Sequence, residues 1–105
     1  MAVVFVATGT VKPDRMEHYL DGARKTKAVM EKQGAKNVRV LAAVAAGEAT
    51  GSWAFIYETD DLTAFGASFD KMFADPDVAA ASSPENVAAN MVAGIQTTIW
   101  VDVPL

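Results

Sequence analysis

The stretch Gly51-Ser-Trp-Ala-Phe-Ile-Tyr-Glu58 restricts the folds open to this chain more than any other. Aromatic and β-branched residues favour strands. Strand side chains alternate, so Trp53, Phe55 and Tyr57 fall on one face and Ala54 and Ile56 on the other. Both faces are apolar. A strand with one wet face should alternate apolar with polar, so this one expects protein or ligand on each side.

The neighbouring segments define what could supply that cover. Ala2 to Thr10 predicts a first strand, again apolar on both faces. Pro13 followed by Asp14 and Glu17 predicts a capping box opening a helix from about Arg15 to Gln33, with Gly34 ending it. Met16, Tyr19, Leu20, Ala23, Lys27 and Met30 share the inward stripe of that helix. Lys27 reads as a stem on the core edge with its ammonium in water; the sharper reading directs the charge into a pocket. His18 falls on the opposite side from the stripe and is expected in solvent. It is also the only histidine, the residue type that titrates near neutrality without help.

Lys36 to Ala45 predicts a second strand, with Val38, Val40, Ala42 and Val44 opposite Arg39, Leu41, Ala43 and Ala45. The short loop Ala46 to Thr50 would join it to Gly51–Glu58 as a hairpin. Asp60 or Asp61 then caps a second helix whose buried side carries Leu62, Phe65, Phe69, Met72 and Phe73. Asp75-Pro76 interrupts it, and Asp75 can cap a short continuation. Ser83-Pro84 opens another helical segment, with Gly94 as its stop. Ile95 to Val103 alternates as a last strand, with Ile95, Thr97, Ile99, Val101 and Val103 opposite Gln96, Thr98, Trp100 and Asp102. The residues from Asp77 to Gly94 exceed what a helix-to-strand connection needs and read as a structural cover or a moving lid.

At 105 residues, 51% of them hydrophobic, the chain is expected to form one domain around one core. No apolar run reaches the ~20 residues of a membrane span. Met1 to Val6 lacks the positive start and cleavage site of a signal peptide, so a cytoplasmic protein is expected. The absence of cysteine excludes disulfides and thiolate chemistry, and one histidine is too few for a typical zinc site. No metal or cofactor is expected. A net charge of −4 counts against nucleic-acid binding. Every basic residue but Lys71 lies between Lys12 and Arg39, either as ordinary solvated surface or as a rim attracting an anionic ligand or acidic partner.

The order strand, helix, strand, strand, helix, strand predicts an α+β, ferredoxin-like βαββαβ fold with a four-stranded antiparallel sheet and an extra helix before the last strand. Right-handed crossovers put both helices on one sheet face. The small aliphatic sets are assigned to the helices, and the aromatic set Trp53, Phe55 and Tyr57 outward with Trp100 and Leu41. A homodimer with sheet against sheet would then cover the open face.

This pattern resembles the dimeric α+β barrel superfamily over nearly the whole chain. The similarity is strongest from Gly51 to Phe65, which looks like the third strand and second-helix entry of its monooxygenase-like and NIPSNAP-like branches. The proline-led helix start Lys12-Pro13-Asp14 is similar too. The resemblance implies two subunits facing their sheets, and activities that range over cofactor-free monooxygenases, haem-degrading enzymes, lactone isomerases and cyclases. No catalytic set carries over residue by residue. A haem-degrading branch would want a histidine on the second helix, and Leu62 to Ala74 holds none.

Two functions follow as expectations. In the first, each subunit holds a small aromatic or hydrophobic organic ligand between sheet and helices or at the barrel mouth. Trp53, Tyr57 and Trp100 would stack on it, with Gln96, Thr98 and Arg39 orienting it. Its catalytic form, oxygen addition, rests on fold analogy, with His18, Tyr57 and Glu58 as candidate proton-transfer groups. The plainer view of the aromatics is that they fill the dimer core. In the second, the protein is a non-catalytic dimeric binding or assembly module.

Overall fold

The computed structural model describes residues 1–45, 47 and 51–105. The elements are β1 (Val3–Gly9), a single 3-10 turn (Pro13–Arg15), α1 (Met16–Lys32), β2 (Lys36–Ala42), β3 (Trp53–Thr59), α2 (Leu62–Ala74), α3 (Pro76–Ala81), α4 (Pro84–Asn90) and β4 (Gln96–Val101). The strands form one antiparallel sheet in the order β2-β3-β1-β4. This is the ferredoxin-like arrangement, with α3 and α4 inserted before the last strand. The expected loop from Ala46 to Thr50 lies, apart from Gly47, outside the described residues. The hairpin around it is secured by Ala43 N–H to Ser52 O and Gly51 N–H to Ala43 O, both 2.9 Å.

Helix ends follow local chemistry in most places. The Asp61 carboxylate accepts from the Ala64 N–H at 2.7 Å, Asp75 from Asp77 at 2.9 Å, and the Ser83 hydroxyl from Asn86 at 3.2 Å. Each satisfies a donor that the first helical turn leaves unpaired. At the end of α1, Gly34 adopts φ +88, which lets Ala35 N–H reach Met30 O at 3.1 Å and Gly34 N–H reach Glu31 O at 3.2 Å.

Two expected boundaries are corrected. The Asp14–Glu17 capping box does not form, because Asp14 lies inside the 3-10 turn and α1 begins without a side-chain cap. Helix α4 ends at Asn90 instead of running toward Gly94. Residues 90–92 pair instead with the segment after β1, through Lys12 N–H to Asn90 O and Val92 N–H to Thr10 O, both 2.8 Å. Tertiary pairing of the backbone overrides helical propensity here.

The aromatic assignment is also corrected. Phe5 of β1 is registered with Tyr57, Ala7 with Phe55 and Gly9 with Trp53, and this face carries the core. Trp53, Phe55 and Tyr57 therefore face the helices. Large rings fill the depth between sheet and helices: Phe5 stacks on Tyr57 at 4.7 Å, and Phe65 and Phe69 of α2 continue the cluster at 5.5 Å from each other. The open face carries Val4, Val6, Ala54, Ile56, Leu41 and Trp100, with Thr8, Arg39, Glu58, Gln96 and Thr98 among its polar members. Leu41 and Trp100 are outward, as assigned.

The inward stripes differ from the expected sets in both long helices. Lys27 is exposed while Gly22 and Thr26 are half-buried, and Leu62 is exposed while Ser68 is buried with its hydroxyl donated to Ala64 O at 2.9 Å.

Tyr57 is fully buried, and its hydroxyl has no hydrogen-bond partner among the described residues. A buried hydroxyl left unpaired costs about 1–3 kcal/mol. Tyr57→Phe is therefore expected to raise stability by about 1 kcal/mol, read as a thermal midpoint roughly 4–8 °C higher. A lower midpoint would show that the hydroxyl is satisfied. Burial also holds the Tyr19 and Tyr57 protons above the ordinary tyrosine value of 10.0. The folded state then keeps protons that the unfolded chain releases, so stability is intact below that value and falls as pH rises beyond it. Tyr57→Phe should shallow this alkaline decline.

Candidate functional site

Between the sheet and the helices lies a cavity of about 150 Å3. Phe5, Ala7 and Phe55 form its floor from the central strands. Tyr19, Gly22, Ala23 and Thr26 of α1 form one wall, and Val78 and Ala81 of α3 with Val87 of α4 another. Space remains here because the lining alternates bulky rings with Ala and Gly, and the small side chains do not reach across. His18, Thr26, Ser82, Asn86, Asn90 and the hydroxyl-bearing Tyr19 are its polar members, and His18, Phe73, Ser82 and Ile95 are the exposed lining residues where it meets solvent.

The inserted helices close one side and are fastened to the start of α1. Lys12 Nζ donates to Ala88 O at 3.1 Å, Arg15 Nε to Asn90 Oδ1 at 2.9 Å, and His18 Nε2 meets Asn86 Oδ1 at 3.2 Å. Lys12 thereby satisfies one of the last carbonyls of α4, where a cation also suits the helix dipole. Asn86 Nδ2 donates to Ala81 O at 2.8 Å, tying α4 back to α3.

The basic residues do not converge on the cavity. Lys25 pairs with Asp21, Lys36 with Asp60 and Arg39 with Glu58, all at exposed or partly exposed positions. Among the described residues, no group of three or more His, Cys, Asp or Glu side chains is placed to hold a metal ion. No described helix is long and apolar enough to cross a membrane.

The sequence-derived site residues separate into three groups. His18 is exposed and lines the cavity. Tyr57 lies in the core, outside the lining, and Trp53 stands behind it, edge-on to the lining residue Tyr19 at 6.3 Å. Arg39, Glu58, Gln96, Thr98 and Trp100 sit on the open face, away from the cavity. There Arg39 Nη1 meets Glu58 Oε2 at 3.2 Å, and the Trp100 indole donates to Thr98 Oγ1 at 2.9 Å. Tyr19, read from sequence only as part of the inward stripe, lines the cavity with Ser82, Asn86 and Asn90, none of which is among the sequence-derived site residues. The clue lay in the Asp77–Gly94 insertion, whose polar residues Ser82, Asn86 and Asn90 recur at helical spacing.

No protein-family model matches the chain, and no curated protein is similar to it in sequence. Solved structures are similar in fold. An uncharacterised NIPSNAP-domain protein from Burkholderia xenovorans superposes with a TM-score of 0.69 at 15% identity, covering 96% of this chain and 94% of that one. A NIPSNAP family protein from Agrobacterium tumefaciens gives 0.71 at 12% identity, covering 98% and 94%. An antibiotic biosynthesis monooxygenase gives 0.70 at 16% identity, covering 97% and 99%. The chain has the NIPSNAP and monooxygenase-like α+β fold. Coverage near the full length of both partners means that the α3–α4 insertion is accommodated within this ferredoxin-like fold rather than added outside it. Identities this low carry no residue roles across, so the site stands on its own geometry.

Proposed function

We propose that this protein binds a small aromatic or hydrophobic organic molecule in the cavity between its sheet and helices, as a homodimer. The observation that carries the reading is the cavity itself: apolar walls, a few polar groups at one side, and a volume of about 150 Å3. Apolar cavities of roughly that size take up benzene-sized guests. The dimer rests on the resemblance and on the open face. Four strands about 4.8 Å apart and about 20 Å long present roughly 400 Å2, the upper end of what monomers leave wet.

Titration calorimetry with toluene tests the binding, with an expected Kd on the order of 0.1–1 mM. Trp53 emission should change with the same saturation, because Trp53 contacts Tyr19 in the lining. Ala23→Leu fills the space from α1 and should abolish binding while leaving the thermal midpoint equal or higher. Toluene that fails to bind, or that binds Ala23→Leu equally well, would refute the cavity as the site. Oxygen addition, the activity in the name of one structural neighbour, is the catalytic form of this proposal and would show as ligand-dependent oxygen uptake.

A further inference from the structure

The polar side of the cavity selects the tautomer of its histidine in the neutral ring. The Asn86 side chain can donate to Ala81 O only through its NH2 group, at 2.8 Å, which turns its carbonyl oxygen Oδ1 toward His18. Because Oδ1 can only accept, the His18 Nε2 at 3.2 Å must carry a proton and donate it. The second ring nitrogen, Nδ1, has no hydrogen bond among the described residues and is the one left with a lone pair in the neutral ring. Of the other polar groups in the lining, Thr26, Ser82 and Asn90 are already engaged, which leaves the Tyr19 hydroxyl. Thr26 Oγ1 donates to Gly22 O at 2.9 Å, Ser82 Oγ to Val78 O at 2.7 Å, and Asn90 Oδ1 accepts from Arg15. A neutral imidazole nitrogen is a stronger acceptor than a phenol oxygen, so in the neutral ring His18 Nδ1 is the strongest unshared acceptor among the lining residues.

We infer that the ligand is a single-ring aromatic bearing a hydroxyl, its O–H received by His18 Nδ1, with Asn86 as the positioning residue. This rests on the cavity reading above and adds the ligand class to it. The volume of about 150 Å3 sets the ring count, since a second fused ring would exceed a benzene-sized space. The lone pair sets the functional group: a hydroxyl can donate to it, whereas an ether or ketone would bring a second acceptor against it.

The test compares phenol with toluene, which has the same shape and no donor, by calorimetry on the wild type and on His18→Leu. The phenol-to-toluene affinity ratio is expected to fall by about five- to tenfold in His18→Leu, the worth of one neutral hydrogen bond, with toluene binding retained. A ratio that does not change while both ligands bind overturns this inference and leaves the cavity reading standing. Failure of both ligands on the wild type overturns the two together. Nitrogen NMR on His-labelled wild type gives a second readout free of any folding defect, since the chain has one histidine. The proton should be found on Nε2, and phenol, not toluene, should shift Nδ1. A neutral ring whose proton sits on Nδ1 in the free protein refutes the proposal.

Discussion

Trp100→Glu should yield folded monomers at concentrations where the unaltered protein is paired. Trp100 stands on the open face of β4, 62% exposed and registered opposite Val4. In a single chain its replacement removes an exposed ring and one exposed hydrogen bond, so the stability of the fold should change by under about 0.5 kcal/mol. In a sheet-to-sheet dimer the same change deletes an aromatic anchor, worth about 2–4 kcal/mol. It also traps a carboxylate away from water. Arg39 offers no ready partner, being held already by Glu58 and by the Asn37 carbonyl at 2.7 Å. Burying an unpaired charge costs several kcal/mol more, so the dimer should weaken by roughly a thousandfold or beyond. Sedimentation velocity over a dilution series, with circular dichroism to confirm folding, reads this directly. A variant that stays dimeric, or an unaltered protein already monomeric, would remove the sheet-face dimer from the proposed function.

The contrast between that face and the cavity shows which parts of the site were legible from residues alone. Strand and helix identities were, because Trp53 to Thr59 and the Phe65, Phe69 and Met72 spacing express one periodicity each. Which strand face meets the helices was not. Both faces of β1 and β3 are apolar, so alternation gives two faces without saying which is inner, and a one-residue change of register exchanges them. The choice is made by long-range packing, in which Phe5, Tyr57 and Phe65 form one aromatic layer. His18 illustrates the same limit in a helix. Its angular position does place it in solvent, and it still lines the cavity, because α4 folds back beside it and brings Asn86 within 3.2 Å. Periodicity within α1 carries no information about a helix that arrives about 70 residues later.

Gly9 should be among the least replaceable residues, although its backbone needs no left-handed geometry. A Cβ placed there would collide with Met91 Cε and stand 2.8 Å from Gly94 O. The methionine end could swing aside; the carbonyl belongs to the main chain and cannot move without displacing residues 91–95. That segment closes the cavity through Met91 and Ile95 and is fastened just after β1 by the Val92 N–H to Thr10 O bond. Gly9→Ala should therefore lower stability by about 1–3 kcal/mol, and Gly9→Val by more. The Val92 amide should lose hydrogen-exchange protection before the core strands do, since the crowding is local to its segment. Gly66→Ala supplies the opposite sign. Gly66 lies within α2 with nothing near its would-be Cβ, and alanine there should stabilise by about 0.5–1 kcal/mol. Equal stabilities for Gly9→Ala and the unaltered chain, with Val92 still protected, would mean that the segment before β4 is not seated against β1 as described.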